Sequence, residues 1–177
     1  IVNLEPSAQL PYALYAEGPD TNDCDLIAIS SPLSVLKKTH QMFTKQSKEL
    51  DKELLKNLKK VGFVLDYGED NTGWQFKYLT RGGGYYFNVG ASNLIAEEKI
   101  KLIQFKDIDK FTATGIIHNS LGVMNFDAFI FATGYKGQEY MVEKFFGKTV
   151  SKKVGKIWNF DNKKQELNNM FVKTNQE

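Results

Sequence analysis

The residue types that most often carry chemistry are few in this chain and far apart. His40 and His118 are the only histidines, and Cys24 is the only cysteine. No spacing here resembles a zinc-ligand set, which needs four histidine, cysteine or carboxylate ligands brought together in pairs. Nothing supports a cysteine–histidine nucleophile pair, and both histidines read as surface or strand-edge residues. Two other segments stand out. Asp127-Ala128-Phe129-Ile130-Phe131-Ala132-Thr133-Gly134-Tyr135 is an apolar run, patterned like a buried strand, that ends in a small-small-glycine turn. Small residues let a backbone come close to a flat cofactor. The same pattern also serves a strand that leaves a sheet through a glycine turn. The second segment is Gly82-Gly83-Gly84, preceded by Arg81 and followed by Tyr85 and Tyr86. Consecutive glycines lose more chain entropy on folding than other residues. They are therefore expected where unusual dihedrals are needed, either against a ligand or at a tight chain crossing.

Composition limits the partners. The chain has 177 residues, 42% hydrophobic and 25% charged, with thirteen Phe and eight Tyr, enough for one packed domain. The aromatics suffice to fill a core or to line an apolar pocket that caps a substrate. The net charge of +2 and the single arginine, Arg81, argue against a nucleic-acid reader. No apolar stretch approaches the roughly 20 residues of a membrane span, and no signal segment opens the chain. One cysteine fits a reduced, cytoplasmic protein.

The positioning elements follow from periodicity. Residues 1–24 hold three of the four prolines and read as irregular. Asp25–Ser30 is apolar and ambiguous between strand and helix. Leu36, Phe43, Leu50, Leu54, Leu58 and Val61 fall on one face of a long helix over 33–61, started at Ser31-Pro32 and stopped by Gly62. That helix carries eight lysines against three acids. This makes a non-catalytic interaction module, gripping an acidic partner, the alternative functional reading. Residues 68–73 are turn chemistry, Trp74–Leu79 reads as a strand, and 91–98 as a short helix. Strands are expected at 100–105, 111–118 and 123–132, in a small antiparallel meander, with a short helix at 138–146 and mixed structure beyond.

Several of these segments together resemble one family. Leu79-Thr80-Arg81-Gly82-Gly83-Gly84-Tyr85-Tyr86-Phe87-Asn88-Val89-Gly90-Ala91-Ser92, Phe131-Ala132-Thr133-Gly134-Tyr135 and Val154-Gly155-Lys156-Ile157-Trp158 are similar, in order and spacing, to segments of flavin-containing monooxygenases. Glu49–Leu55 and Leu65–Asp70 fit the same order, so the likeness runs from about residue 15 onward. The resemblance implies an α/β fold of two interleaved dinucleotide-binding domains, with FAD on one and NADPH on the other, acting on a small-molecule substrate. It implies that Ala132, Thr133, Gly134 and Tyr135 lie beside the flavin or nicotinamide. It also puts Gly83, Gly84 and Tyr85 near the substrate or cofactor cleft.

The departure from that family is the absence of any Gly-x-Gly-x-x-Gly run. Gly82-Gly83-Gly84 does not qualify, because Phe87 stands three residues beyond Gly84. Such a loop delivers a pyrophosphate to a helix N-terminus. The expectation is therefore a partial chain, inactive alone. Residues 1–98 would be the later part of the NADPH domain with a helical region, and residues 99–177 the return into the FAD domain. An apolar face uncovered by the missing partner domain, and hence self-association, is expected of such a piece.

Overall fold

Helices dominate the first half of the chain and small sheets the second. The computed structural model describes residues 1–169; the mixed structure expected further on lies partly outside these residues. Strand β1 (Val2–Asn3) is followed by α1 (Glu5–Ala8), α2 (Ala13–Glu17) and α3 (Thr21–Ser30), with a 3₁₀ turn at Leu10–Tyr12. The stretch expected to be irregular is thus largely helical, in short pieces: Pro6 and Pro11 stand in the first turns of α1 and the 3₁₀ turn, and Pro19 lies between α2 and α3. Helix α3 also resolves the ambiguity at 25–30 in favour of helix.

The long helix expected over 33–61 is two helices, α4 (Leu33–Leu50) and α5 (Lys52–Lys60). Asp51 lies between them with φ −91° and ψ 6°. The reason lies in its side chain, which turns inward and accepts from Ser7 Oγ at 2.6 Å and Asn3 Nδ2 at 3.1 Å. Gly62 ends α5 as expected. It adopts φ +83°, and the Phe63 and Gly62 amides donate to the Leu58 and Lys59 carbonyls at 3.0 and 3.1 Å.

The face that α4 and α5 bury differs from the apolar stripe. Leu58 is fully enclosed, but Leu50 is exposed, and the buried line runs His40, Thr44, Ser47, Asp51, Leu55, Leu58. Steps of four, three, four, four and three keep these residues on one side. Small hydroxyl side chains there permit close approach. A Cβ on Gly73 would sit 2.3 Å from Thr44 Oγ1, so only glycine fits against that point of α4.

Trp74–Leu79, expected as a strand, lies in helix α6 (Gly73–Arg81). Trp74, Phe76 and Tyr78 alternate with polar residues and imitate a two-residue period. The period that packing uses is Gly73, Phe76, Thr80, all buried against the rest of the helical body. Gly82 closes α6 in the left-handed region at φ +72°, its amide donating to Tyr78 O at 2.8 Å. Strand β2 (Tyr86–Phe87) then pairs in parallel with β1, Val2 opposite Tyr86 and Asn3 opposite Phe87. Helix α7 (Ala91–Ala96) packs on α5.

The expected antiparallel meander is present with shifted strands. β3 (Ile108–Phe111), β4 (Gly115–His118) and β5 (Gly122–Asn125) form a three-stranded sheet in that order. Ile100–Gln104 is not a strand, and β5 ends at Asn125 rather than continuing to 132. Helix α8 spans Gln138–Val154, with Gly147 at φ +83° breaking it internally close to the expected end at 146. A hairpin of β6 (Phe160–Asp161) and β7 (Glu166–Leu167) closes the described chain. The fold is thus a mixed helix-and-sheet arrangement, of α/β class in the broad sense.

Candidate functional site

The triple glycine sits at the outgoing end of α6, and packing accounts for its two outer members. A Cβ on Gly82 would lie 2.8 Å from the indole ring of Trp158, and one on Gly84 would lie 2.7 Å from Lys77 Cε. Gly84 also adopts φ +90°. Gly83 has open space around its Cα. The Ile1 amine donates to Gly84 O at 3.1 Å, which ties this turn to the start of β1. Tyr85 turns into an aromatic group, its ring centroid 5.0 Å from Trp74, 5.6 Å from Phe87 and 6.4 Å from Tyr78. Burial pushes the Tyr85 phenol up from its ordinary value, with Tyr78 adding to the effect.

The segment 155–159 crosses the end of α6. The Trp158 indole N–H donates to the Leu79 carbonyl, and the Asn159 amide donates to Thr80 O at 3.0 Å. Trp158 and Asn159 both hold φ +69°. A groove forms around this crossing, lined by Thr80, Arg81, Tyr135, Glu139, Lys156 and Trp158 among others. Three segments separated in sequence therefore border this groove, Tyr135 with its side chain fully exposed. Arg81 contributes its backbone corner more than its charge, because its guanidinium is paired with the Glu69 carboxylate. Gly83, Gly84 and Tyr85 do not line this groove.

Ala132 and Thr133 belong to a second, apolar groove with Phe105, Phe111, Phe129 and Phe131. The ring centroids of Phe111 and Phe129 are 5.3 Å apart, and those of Phe129 and Phe131 stack at 6.2 Å. The segment 127–132, expected as a buried strand, is an exposed coil: Ile130 is 94% exposed and Phe131 66%. Nothing among the described residues pairs with its backbone as a ladder partner. Gly134 takes φ +76° with no atom within 4 Å of a Cβ placed on it, and Tyr135 is fully exposed. The turn therefore joins the two grooves and is open on its outer side.

His40 corrects the expectation of a surface residue. It is 5% exposed, and burial lowers its pKa from 6.5 to about 4. The signal that locates it is its place in the four-three spacing with Thr44, Ser47 and Asp51. His118 ends the middle strand of the meander, where Nδ1 accepts from the Ser120 and Leu121 amides at 3.2 Å. Cys24 is buried, and its thiol donates to the Pro19 and Leu14 carbonyls at 3.3 and 3.4 Å. That is the setting of a structural thiol. Among the described residues no cluster of three or more metal-ligating side chains occurs, and no helix is long and apolar enough to cross a membrane.

The lysine-rich region has its own internal partners. Lys37 pairs with Asp70 at 2.6 Å, and Lys48 donates to Asn71 Oδ1 at 2.8 Å while lying 3.8 Å from the Tyr67 ring centre. Lys52 and Lys56 approach Glu49 and Glu53 at 3.9 Å.

No protein-family model matches this chain, and no curated protein matches it at a significant level.

Proposed function

We propose that this chain is one part of a cytoplasmic FAD- and NADPH-dependent monooxygenase acting on a small molecule, with the phosphate-holding loops on polypeptide outside these residues. The observation that carries the reading is the turn Phe131-Ala132-Thr133-Gly134-Tyr135. It combines small side chains, a left-handed glycine with open space above it, and an adjoining exposed aromatic face. These features suit close approach of a flat ring system to the backbone. They do not suit its phosphates, for which no glycine-rich loop leading into a helix is present. The residues thus fit contact with the ring end of a cofactor only. When bound, such cofactors supply the redox chemistry, hydride from NADPH and one oxygen atom from O₂ by way of the flavin, delivered to a soft nucleophile or ketone. This chain's share is to bring backbone against the ring and to keep water from it with Phe129, Ile130 and Phe131. No residue here acts as acid, base or nucleophile in that reading.

The isolated chain would be inactive and would associate through its uncovered apolar face. The test is flavin retention by the intact gene product. Under this reading it purifies with FAD, which NADPH reduces, whereas the 177-residue chain alone binds neither. A colourless intact product that ignores NADPH overturns it.

A further inference from the structure

His40 is a buried titratable group that the proposed cofactor contact does not use. It projects from the middle of α4 toward α6, with its ring centroid 6.0 Å from those of Phe43 and Phe76. Phe76 in turn meets Phe160 of β6 at 5.5 Å. Beside the imidazole lies a cavity of about 20 Å³, lined by Asn3, Ser7, Thr44, Ser47 and Thr72 among others. That is room for one water molecule.

The charged groups around His40 are cationic or already engaged. On α4, Lys48 lines the same cavity, and Lys37 is one turn earlier, held by Asp70 of the 3₁₀ turn Glu69–Asn71. Ile1 lines the cavity from just before β1, with its amine held by the Gly84 carbonyl, and Tyr67 lines it from the coil before α6. Helix α6 presents Gly73, Trp74 and Phe76, while its Lys77 pairs with Asp66. From α5 comes only Leu55, and β6 contributes Phe160 through Phe76. Asp51, at the α4–α5 junction, directs one oxygen to Ser7 and Asn3; its other oxygen has no partner among the described residues, but Asp51 does not line the cavity. No carboxylate lines the cavity. An imidazolium at this position would have a desolvated charge and no counter-ion.

We propose that His40 is an acid-sensitive latch between α4 and α6, whose protonation parts the two helices and loosens the Arg81–Gly84 corner at the end of α6. Burial supports this by lowering the imidazole from 6.5 to about 4. The folded state therefore binds the proton less readily than the unfolded chain. Stability is intact above the ordinary histidine value, falls as pH drops through that value, and finishes falling near the folded one.

The test uses the whole chain and its His40→Leu variant, with urea unfolding followed by tryptophan fluorescence, since Trp74 lies in α6 and Trp158 packs on Gly82. The unfolding equilibrium constant of the native protein should rise on the order of a hundredfold between about pH 7.5 and about pH 4 beyond the change in the variant. In parallel, histidine-labelled NMR should show His118 titrating while the His40 ring stays neutral until the tertiary signal is lost. Identical pH profiles for the two proteins overturn the proposal. So does a His40 ring that takes up its proton near the ordinary histidine value with the fluorescence unchanged. Should the variant not fold, the NMR titration decides alone.

Discussion

Asp51 shows how much one side chain determines at the residue scale. Its Oδ2 gathers Ser7, Asn3 and the Leu4 amide, while Oδ1 is buried with no partner among the described residues. Burial therefore outweighs the three donors and raises its pKa above 3.8. Asp51→Ala removes the shared acceptor of Ser7, Asn3 and the Leu4 amide, leaving Ser7 with the Leu4 carbonyl and Asn3 with Ser7 Oγ, and opens space at the α4–α5 junction. It should lose about 2–4 kcal/mol in urea unfolding. Asp51→Asn keeps an acceptor for them and should cost about 1 kcal/mol. Because the folded pKa is raised, the carboxyl's contribution is fullest in acid and falls as pH rises through that raised value. The difference between native protein and Asp51→Asn should therefore shrink from acid to neutral pH. His40 acts in the opposite sense, its contribution being full above the ordinary histidine value and lost in acid, so the two together are weakest between their titrations. A wild-type advantage over Asp51→Asn that grows toward neutral pH would contradict this.

At the scale of elements, left-handed glycines separate conformational need from close packing. Gly62 and Gly82 both follow helices at positive φ, but only Gly82 has a neighbour, the Trp158 ring, where a Cβ would go. Gly62→Ala should cost about 1–2 kcal/mol from the backbone alone. Gly82→Ala should cost about 2–4 kcal/mol, because a tryptophan ring must also move, and its tryptophan fluorescence should shift. Equal losses with unchanged fluorescence would deny the crossing of 158 over 82. The same elements show what was legible in the sequence. The stop at Gly62, helix α7 and an antiparallel meander all follow from local signals that tertiary packing leaves in force. Helix α6 was hidden because alternating aromatics imitate strand spacing, while the helical face rests on Gly73 and Thr80, which hydropathy does not mark. The polar stripe beneath α4 was hidden for a related reason. Thr44, Ser47 and Asp51 are buried by hydrogen bonding and close approach, and neither has a hydrophobic signature.

The molecule as a whole holds its apolar residues unevenly. The helical body encloses Leu55, Leu58, Trp74 and Phe76, whereas Phe129, Ile130, Phe131 and Tyr135 face outward around one turn. Of the candidate residues, Tyr135 borders the groove at the α6 corner with its side chain fully exposed, while Gly84 and Tyr85 pack elsewhere and Gly83 has open space around it. Side-chain spacing along a chain carries no information on that assembly, because Trp158 and Asn159, distant in sequence, create it. The exposed face should make the isolated chain associate as concentration rises in sedimentation velocity. Ile130→Asp with Phe131→Asp should abolish that association while leaving the circular dichroism unchanged. A native chain that is monomeric throughout would contradict a sticky face.

The most direct measurement of the central claim is flavin content per chain in the intact gene product, set beside its Gly134→Val variant. A branched side chain at φ +76° would obstruct the open side of the turn. The account predicts near-stoichiometric flavin in the native protein and a loss of most of it in the variant, with helix content preserved. Equal flavin in both, or none in the native protein, would contradict it.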